Sequence, residues 1–471
     1  AYLSALNSGV CGSWALSSTG TVTRTAAPIS SGTGVTCTPR LDLKQLELYL
    51  PPNTSFSGTL VLTAGPVVGD ARVSSSLSVT EAQDTSEANN TASVSLRVAP
   101  DGLEVKEVKA GCALTLEGGV KCWGPNILPF PYNSAAPGSG TGYAYDSSLP
   151  YTIPGLESGV TYITDRRYSH ACVVMVGGAV KCFGDNTSGQ LGAGVTGVIA
   201  NAYNLPVSVV GLGAPAIAVD TGFNYSCALL STGAVKCWGL LRELTSQAGA
   251  PLTTWVNSAT PVQMAGLESG VTALSAGKFH LCVIQAGSAK CLGENDYGEI
   301  GNGTYAKTGA TPAAVQGLGS GVVQIVAGWN TSCAVVNGGA VKCWGANVQN
   351  TLQTSPAYSV NTPYQIPGLE SGAVAVDVDD VLQCALTQVG AVKCWGYNGN
   401  YGLGTGNTLN SYFVPVQVSG LDAGASSVSI STTASCAKTS TGVAKCWGLN
   451  KRGEAGVGSI LPVAVPTSVK P

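Results

Sequence analysis

Short apolar runs separated by glycine turns recur along most of this chain in one arrangement. The stretch from Gly111 to Gly124, GCALTLEGGVKCWG, is an apolar run, a glycine-containing turn and a second apolar run that ends on cysteine and tryptophan. Two such runs around a glycine turn are typical of a β-hairpin. Six related stretches follow, and their first cysteines are Cys172, Cys227, Cys282, Cys333, Cys384 and Cys436. The recurrence predicts a repeat protein built from hairpins.

The cysteine spacing predicts how each hairpin is closed. Six pairs are ten positions apart, which suits a three-residue loop with glycine in a left-handed conformation, whereas Cys282 and Cys291 are nine apart, which suits a two-residue turn at Ala286 and Gly287. Directly opposed β residues are close enough for a disulfide. We therefore predict seven disulfides: Cys112 with Cys122, Cys172 with Cys182, Cys227 with Cys237, Cys282 with Cys291, Cys333 with Cys343, Cys384 with Cys394, and Cys436 with Cys446.

The spacing between hairpins predicts the architecture. The second cysteines follow one another at intervals of 51 to 60 residues, which is room for four short strands and their turns. An apolar run precedes each hairpin, and a proline-headed run that mostly ends in Gly-Leu follows it. Residues 101–471 are therefore predicted to form a seven-bladed β-propeller that closes by abutting its first and last blades.

Residues 1–100 contain no copy of the repeat. Several short alternating runs with polar turns predict a β-sandwich, and Cys11 with Cys37 is predicted to cross-link it. The segment DTSEANNTASVSLRV, residues 84–98, resembles the closing strand of bacterial extracellular immunoglobulin-like modules. The chain is thus predicted to be all-β, with an immunoglobulin-like domain followed by the propeller.

The segments after the hairpins carry a family resemblance. CFGDNTSGQLG from Cys182, CLGENDYGEIG from Cys291, and the related runs CWGYNGNYGLG and CWGLNKRGEAG resemble the regulator-of-chromosome-condensation propeller repeat, of a secreted, disulfide-containing bacterial type. The resemblance implies a seven-bladed propeller. The founder of that family acts on a small GTPase in the nucleus, a role that a disulfide-rich, weakly charged chain does not fit, so the resemblance carries the fold rather than the function.

Composition indicates the compartment. The chain has 16 cysteines in a paired pattern, which is typical of an oxidising environment. It begins at Ala1 without methionine, as expected after removal of an export signal, and has no apolar run long enough to span a membrane. We expect a secreted protein, extracellular or on the cell surface.

The scarcity of charge restricts the partners. Charged residues make up 10% of the chain, against about 25% in ordinary soluble domains, and the net charge is −3. Nucleic-acid binding through phosphates needs a basic surface, which this composition does not provide. A surface with little charge favours permanent contact with other subunits. The alternative is an extracellular protein that is simply poor in charge.

Few residues could carry chemistry. The two histidines, His170 and His280, each lie two positions before the first cysteine of a hairpin, which indicates an architectural position, and no nucleophile–base pair is evident. Asp377 and Asp379 lie on one side of a predicted strand and either bind Ca²⁺ or line the central channel as solvated carboxylates; we favour the latter. We predict no enzyme activity, cofactor or metal.

Three long insertions offer candidate contact surfaces. Rigid aromatic residues among glycine and serine resemble the composition of an interface, although loops also lengthen at little thermodynamic cost. The candidates are Tyr132, Tyr143, Tyr145, Trp255 and Tyr358. We predict a non-enzymatic extracellular protein that assembles with copies of itself into a surface filament or layer. The alternative is a secreted propeller that grips a protein or glycan, including cell-surface ones, through these loops.

Overall fold

The structure is a computed structural model of the chain. It describes eight strands within residues 1–101. Between residues 102 and 471 it describes all but 126–145, 166–168, 198–204, 242–243, 245–256, 308–309, 349–351, 353–357, 380 and 409–411. The chain divides into two compact units, residues 1–101 and 102–471.

The first unit contains two antiparallel sheets. A five-stranded sheet has the order β3-β2-β1-β6-β7, and a three-stranded sheet has the order β4-β5-β8. The packing of these sheets as a sandwich, the immunoglobulin-like character and the bond between Cys11 and Cys37 depend on residues and side chains outside the described ones. The strands are β1 (Tyr2–Leu6), β2 (Ser13–Leu16), β3 (Val22–Arg24), β4 (Thr36–Pro39), β5 (Gln45–Tyr49), β6 (Ser57–Thr63), β7 (Arg72–Ser78) and β8 (Thr91–Ser95).

The second unit is a seven-bladed β-propeller, and each blade is a four-stranded antiparallel sheet of consecutive strands, here called A to D from the centre outwards. The blades are, in order: β9 (Val105–Lys109), β10 (Cys112–Thr115), β11 (Val120–Gly124), β12 (Ser147–Thr152); β13 (Val160–Ile163), β14 (His170–Met175), β15 (Val180–Gly184), β16 (Val207–Ser208); β17 (Ala216–Thr221), β18 (Tyr225–Leu230), β19 (Val235–Leu240), β20 (Asn257–Gln263); β21 (Val271–Ala276), β22 (His280–Gln285), β23 (Ser288–Gly293), β24 (Ala313–Ala314); β25 (Val322–Ala327), β26 (Thr331–Val336), β27 (Val341–Ala346), β28 (Ser359–Gln365); β29 (Ala373–Val378), β30 (Leu382–Thr387), β31 (Val392–Gly396), β32 (Tyr412–Gln417); β33 (Ala425–Ile430), β34 (Ala434–Thr439), β35 (Ala444–Gly448), β36 (Val463–Ser468).

The hairpin of strands B and C has the register that the cysteine spacing predicts. The two cysteines are directly opposite in every blade, and all seven hairpin disulfides are present, with Cα–Cα distances of 4.0–4.1 Å. In the first blade Thr115 and Gly119 close a loop in which Gly118 has φ +82°. In the fourth blade Gln285 pairs with Ser288, and Ala286 and Gly287 both have positive φ. The turn is shortened by one residue and the disulfide is kept.

The residue after the second cysteine forms the core between blades. Each of these side chains is at most 1% exposed, and burying a large aromatic side chain contributes roughly 4–6 kcal/mol of transfer free energy. Four of the tryptophans also donate their indole N–H to a backbone carbonyl of the preceding blade, at 2.7–2.9 Å. The set is Trp123, Phe183, Trp238, Leu292, Trp344, Trp395 and Trp447.

The ring closes where blade 7 abuts blade 1. The Leu103 amide donates to the Val469 carbonyl at 2.8 Å, and Arg452 makes two hydrogen bonds of 2.8 Å to the carboxylate of Asp146. No strand is exchanged between the two blades, because the four strands of each are consecutive in the chain. The seam is therefore an ordinary contact between neighbouring blades, as predicted.

The outer edge of every blade carries a proline. It immediately precedes the residue that pairs with the second cysteine of the hairpin. Because proline has no backbone N–H, it protects an edge strand from pairing with another chain. The seven residues are Pro150, Pro206, Pro261, Pro312, Pro363, Pro415 and Pro466.

Candidate functional site

The two ends of the propeller carry different connections. Strand B begins beside the end of strand C, as His280 and Gly293 show, so the turns between A and B lie at the same end as the loops between C and D. The amide of Glu294, which starts such a loop, donates to the carbonyl of Phe279 in the adjacent turn. We call this end the A–B face, and the opposite end, with the B–C hairpin turns and the linkers between blades, the B–C face.

Three consecutive A–B turns, in blades 3, 4 and 5, begin with a glycine at a point of close approach. A Cβ on Gly222 would lie 2.6 Å from the Gly277 carbonyl, one on Gly277 would lie 2.6 Å from the Gly328 carbonyl, and one on Gly328 would lie 2.8 Å from the Val378 carbonyl. Each turn is thus pressed against the turn of the next blade. The side chains that follow these glycines are therefore brought together across the ring.

Those side chains form what we call the inner aromatic cluster: Phe223, Phe279 and Trp329, with Lys278. The Phe223 ring lies 5.6 Å from the ring of Phe279 and 5.8 Å from that of Trp329, with edge-to-face angles of 71° and 69°. The Lys278 ammonium lies 4.7 Å from the Trp329 ring centroid and 5.3 Å from that of Phe279. All four side chains are partly exposed, so rigid apolar surface and a positive charge are presented together.

A second group, which we call the outer tyrosine group, consists of Tyr297, Tyr305 and Tyr358. Tyr358, a candidate from the insertion loops, is 64% exposed, and its ring centroid lies 5.8 Å from that of Tyr297. Tyr305 is 49% exposed, and its hydroxyl accepts a hydrogen bond from Ser359. These residues come from the C–D loops of blades 4 and 5, on the same A–B face as the inner cluster. The role of Tyr358 in binding stays a prediction, and Tyr297 and Tyr305 were not among the predicted residues.

The remaining interface candidates lie outside the described residues. Tyr132, Tyr143 and Tyr145 fall in the first insertion and Trp255 in the second.

The innermost strands of all seven blades enclose a channel cavity of about 230 Å³. Lys109 lies in its wall, one-fifth exposed, with its ammonium 3.0 Å from the carboxylate of Glu107. Burial acts to lower the pKa of Lys109, but the negative charges of Asp165, Glu107 and Asp377 outweigh it and hold that pKa well above its ordinary value. The lysine therefore stays charged inside a wall of carboxylates.

The channel carboxylates bind the backbone of the neighbouring blade. Asp220 accepts a hydrogen bond of 2.8 Å from the Ala276 amide, and Asp377 accepts one of 2.8 Å from the Ile430 amide. Asp377 lines the channel, as predicted, but the prediction that Asp377 and Asp379 are solvated is wrong, because they are only 8% and 2% exposed. Within the described part of the chain, no group of three or more histidine, cysteine, aspartate or glutamate side chains is arranged to hold a metal ion.

The two histidines lie between blades. The Nε2 atom of His170 lies 2.8 Å from Ser226, and that of His280 lies 2.9 Å from Ser332, each serine belonging to the next blade. Burial lowers the pKa of His170 to about 4 and that of His280 to about 3, so both imidazoles are neutral at pH 7. Their shared position is architectural, as the sequence indicates.

Comparison with known proteins places the repeats in a class. Two models of the regulator of chromosome condensation (RCC1) repeat match the chain, one over residues 322–350 and the other over residues 390–440. The structure of human WBSCR16 is similar, with a TM-score of 0.63 and 20% identity over 75% of this chain and 94% of that chain. Yeast RCC1 (Prp20), solved bound to Kap60, has a TM-score of 0.63 and 19% identity over 84% and 91%. Residues 102–471 therefore have the fold of a seven-bladed β-propeller, and two stretches within them match the RCC1 repeat.

Curated relatives match part of this chain. The human E3 ubiquitin-protein ligase HERC2 is 26% identical over 308 residues, which is 63% of this chain and 6% of that protein. The probable human E3 ubiquitin-protein ligase HERC6 is 29% identical over 244 residues, or 50% of this chain and 23% of that protein. The match thus spans less than a quarter of these relatives.

Sequence reasoning did not find the inner aromatic cluster. Its signal is an aromatic residue one or two positions after the glycine of the A–B turn, in GFN, GKF and GWN of blades 3, 4 and 5. The corresponding positions of blades 6 and 7 hold Asp380, Val381, Thr432 and Thr433. An alignment of the A–B turns, in addition to the hairpins, would have shown that blades 3 to 5 have an aromatic residue there and that blades 6 and 7 do not.

Proposed function

We propose that this chain is a non-enzymatic, extracellular interaction protein whose propeller binds a protein partner through the A–B face. The observation that carries the proposal is the placement of six partly or fully exposed aromatic side chains of blades 3 to 5 on that face. Aromatic side chains provide most of the energy at protein interfaces, since they bury large areas with little loss of conformational freedom.

Two further features support this proposal. The edge prolines disfavour binding by strand addition, which leaves the loop faces as the available surfaces. Seven buried disulfides suit a protein that works in an oxidising environment.

The described residues contain no helix long and apolar enough to cross a bilayer. The ligase activity named for the HERC proteins is no part of the proposal, because the match covers so little of them.

Site-specific photocrosslinking tests the proposal. A photoreactive phenylalanine analogue replaces Tyr358 on the A–B face or, as the matched control, Val389, which is 71% exposed in a B–C turn. We expect an adduct with one defined protein from position 358 and none from position 389 when each variant is expressed in its native source. Equal adducts from both positions, or none from position 358, would contradict the proposal.

Self-assembly is a second candidate function, favoured by one observation. Ile460 and Leu461, in the C–D loop of blade 7, are 62% and 71% exposed, and the Leu461 carbonyl is fixed by a 2.7 Å hydrogen bond from Asn450. A rigid apolar projection fits contact with another copy. Light scattering should show a molar mass that increases with protein concentration for the native chain. The Leu461→Asp variant should keep the mass of a monomer. A native chain that stays monomeric throughout would exclude this candidate.

A further inference from the structure

We infer that the inner aromatic cluster binds a single carboxylate, flanked by apolar side chains, on an extended segment of a protein partner. The inference rests on the proposed use of the A–B face and specifies the chemistry that this face recognises. The carboxylate would pair with Lys278, and its apolar neighbours would pack on Phe223, Phe279 and Trp329.

The Lys278 ammonium can still form an ion pair. Among the described residues, no carboxylate lies within 4.0 Å of the Lys278 ammonium, which is held over two ring faces instead. Ring contacts restrict the long lysine side chain before any ligand arrives. An incoming carboxylate therefore gains a charge-assisted hydrogen bond while less side-chain freedom is lost than at a mobile surface lysine.

The ring geometry favours an acid over a neutral sugar. A sugar stacks on an open, flat ring face, but the faces here are partly covered by the edge-to-face contacts of 5.6 and 5.8 Å and by the ammonium. Ring edges carry partial positive charge, which attracts carboxylate oxygens. The stepped surface suits side chains of a peptide that surround one acidic group.

Nearby charges limit the partner to one acid. Glu294 and Asp296 begin the C–D loop of blade 4, directly after the strand that borders the Phe279 turn, and Asp296 is exposed. Each acid of a partner segment is repelled by these carboxylates, and Lys278 can pair with one of them, so a polyacidic segment meets more uncompensated repulsion than an isolated acid among apolar residues. The cluster thus selects for the pattern apolar–acid–apolar.

Selection from a phage-displayed library of random peptides on the full chain tests the inference. We expect enriched peptides to share one aspartate or glutamate next to aromatic or aliphatic residues. Their affinity should fall about tenfold or more in Lys278→Gln, and equally when the peptide acid becomes its amide, but should survive Lys278→Arg. The matched control is Lys236→Gln, which removes a lysine that contacts Gly211 on the B–C face and should change nothing.

The outcomes separate this inference from the proposed function. Peptides that lose binding in Trp329→Ala but lack an acid, or that ignore Lys278→Gln, would overturn the carboxylate inference and leave the A–B face as a binding face. Peptides that are unaffected by Trp329→Ala, or a selection that enriches nothing, would also overturn the carboxylate inference, whereas the proposed function stands or falls with the crosslink from position 358. Thermal melts of each variant confirm that the propeller remains folded.

Discussion

The interface between blades 2 and 3 and the interface between blades 4 and 5 are built from the same bonds. In each, a buried histidine meets a serine of the next blade, and that serine and a tryptophan both donate to one backbone carbonyl. Because the serine donates to the carbonyl, its oxygen receives the imidazole N–H. The residues are His170, Ser226, Trp238 and the Gln190 carbonyl in one interface, and His280, Ser332, Trp344 and the Glu299 carbonyl in the other.

The interfaces differ in the side chain beside the shared carbonyl. The Gln190 amide donates to Asp185 at 2.9 Å, whereas Glu299 has a buried carboxyl oxygen, Oε1, without a hydrogen-bond partner among the described residues. Glu294 stands at the position of Asp185. The fold thus requires the backbone carbonyl and tolerates an acid where an amide fits better. One interface serves as an internal control for the other.

The largest effect is expected from the shared tryptophan. Trp344→Ala removes a fully buried ring and its 2.7 Å hydrogen bond, and should lower the free energy of unfolding by about 3–5 kcal/mol. Trp238→Ala should cost a similar amount, as measured by denaturant unfolding. A loss below about 1 kcal/mol in either variant would contradict the equivalence of the two interfaces.

The shared histidines should make stability depend on pH. Their folded pKa values of about 4 and about 3 lie below the unfolded value near 6.5, so the unfolded chain binds more protons as pH falls. The histidine contribution to stability should therefore be full above pH 6.5 and decline towards pH 4, by about 3 kcal/mol per histidine. In His280→Gln, the free energy of unfolding should decrease less between pH 6.5 and pH 4, because one of the two histidines no longer contributes; denaturant unfolding at each pH measures this. An unchanged slope would show that His280 does not titrate on unfolding.

Glu299→Gln should bring the second interface closer to the first. Burial raises the pKa of Glu299 to about 7, so the folded chain binds its proton more tightly than the unfolded chain, and this contribution to stability is lost as pH rises from about 4.5 through 7. Glutamine should stabilise the protein by about 1–3 kcal/mol at pH 8, where the buried carboxylate costs most. Unfolding of Gln190→Glu should show the reverse change. A change in stability on either substitution that is the same at pH 5 and at pH 8 would contradict this account.

The smallest effect concerns the hairpin turns of the two blades. Blade 2 turns through Gly177 and Gly178, both with positive φ, whereas blade 4 places Ala286 at φ 51°. A left-handed alanine costs about 1 kcal/mol, so Ala286→Gly should raise the melting temperature slightly. Gly178→Ala is the mirror experiment and should lower it, because a Cβ there would also meet Pro215 at 2.5 Å. The melting temperature must change in opposite directions in the two variants, and a change in the same direction would contradict this explanation.

The repeat was predictable and the inner aromatic cluster was not, for a physical reason. Cysteine pairs at fixed spacing determine the hairpin register, and glycines at fixed spacing determine the turns, so local sequence contains the blade. Phe223, Phe279 and Trp329 lie some fifty residues apart and meet only because the ring brings successive turns together. The burial of Asp379 likewise depends on neighbouring blades, which strand alternation does not reveal.

The seam between blades 7 and 1 has a consequence for synthesis and folding. Pairing within a blade is local, so each blade can form, and its disulfide can close, soon after its own segment emerges. The seam instead joins residues more than 300 positions apart, such as Asp146 with Arg452 and Trp123 with the Glu454 carbonyl. Until the last blade is made, blade 1 has an apolar flank without its cover. A nascent chain is therefore most exposed to aggregation at its oldest blade, and completion of blade 7 ends that exposure.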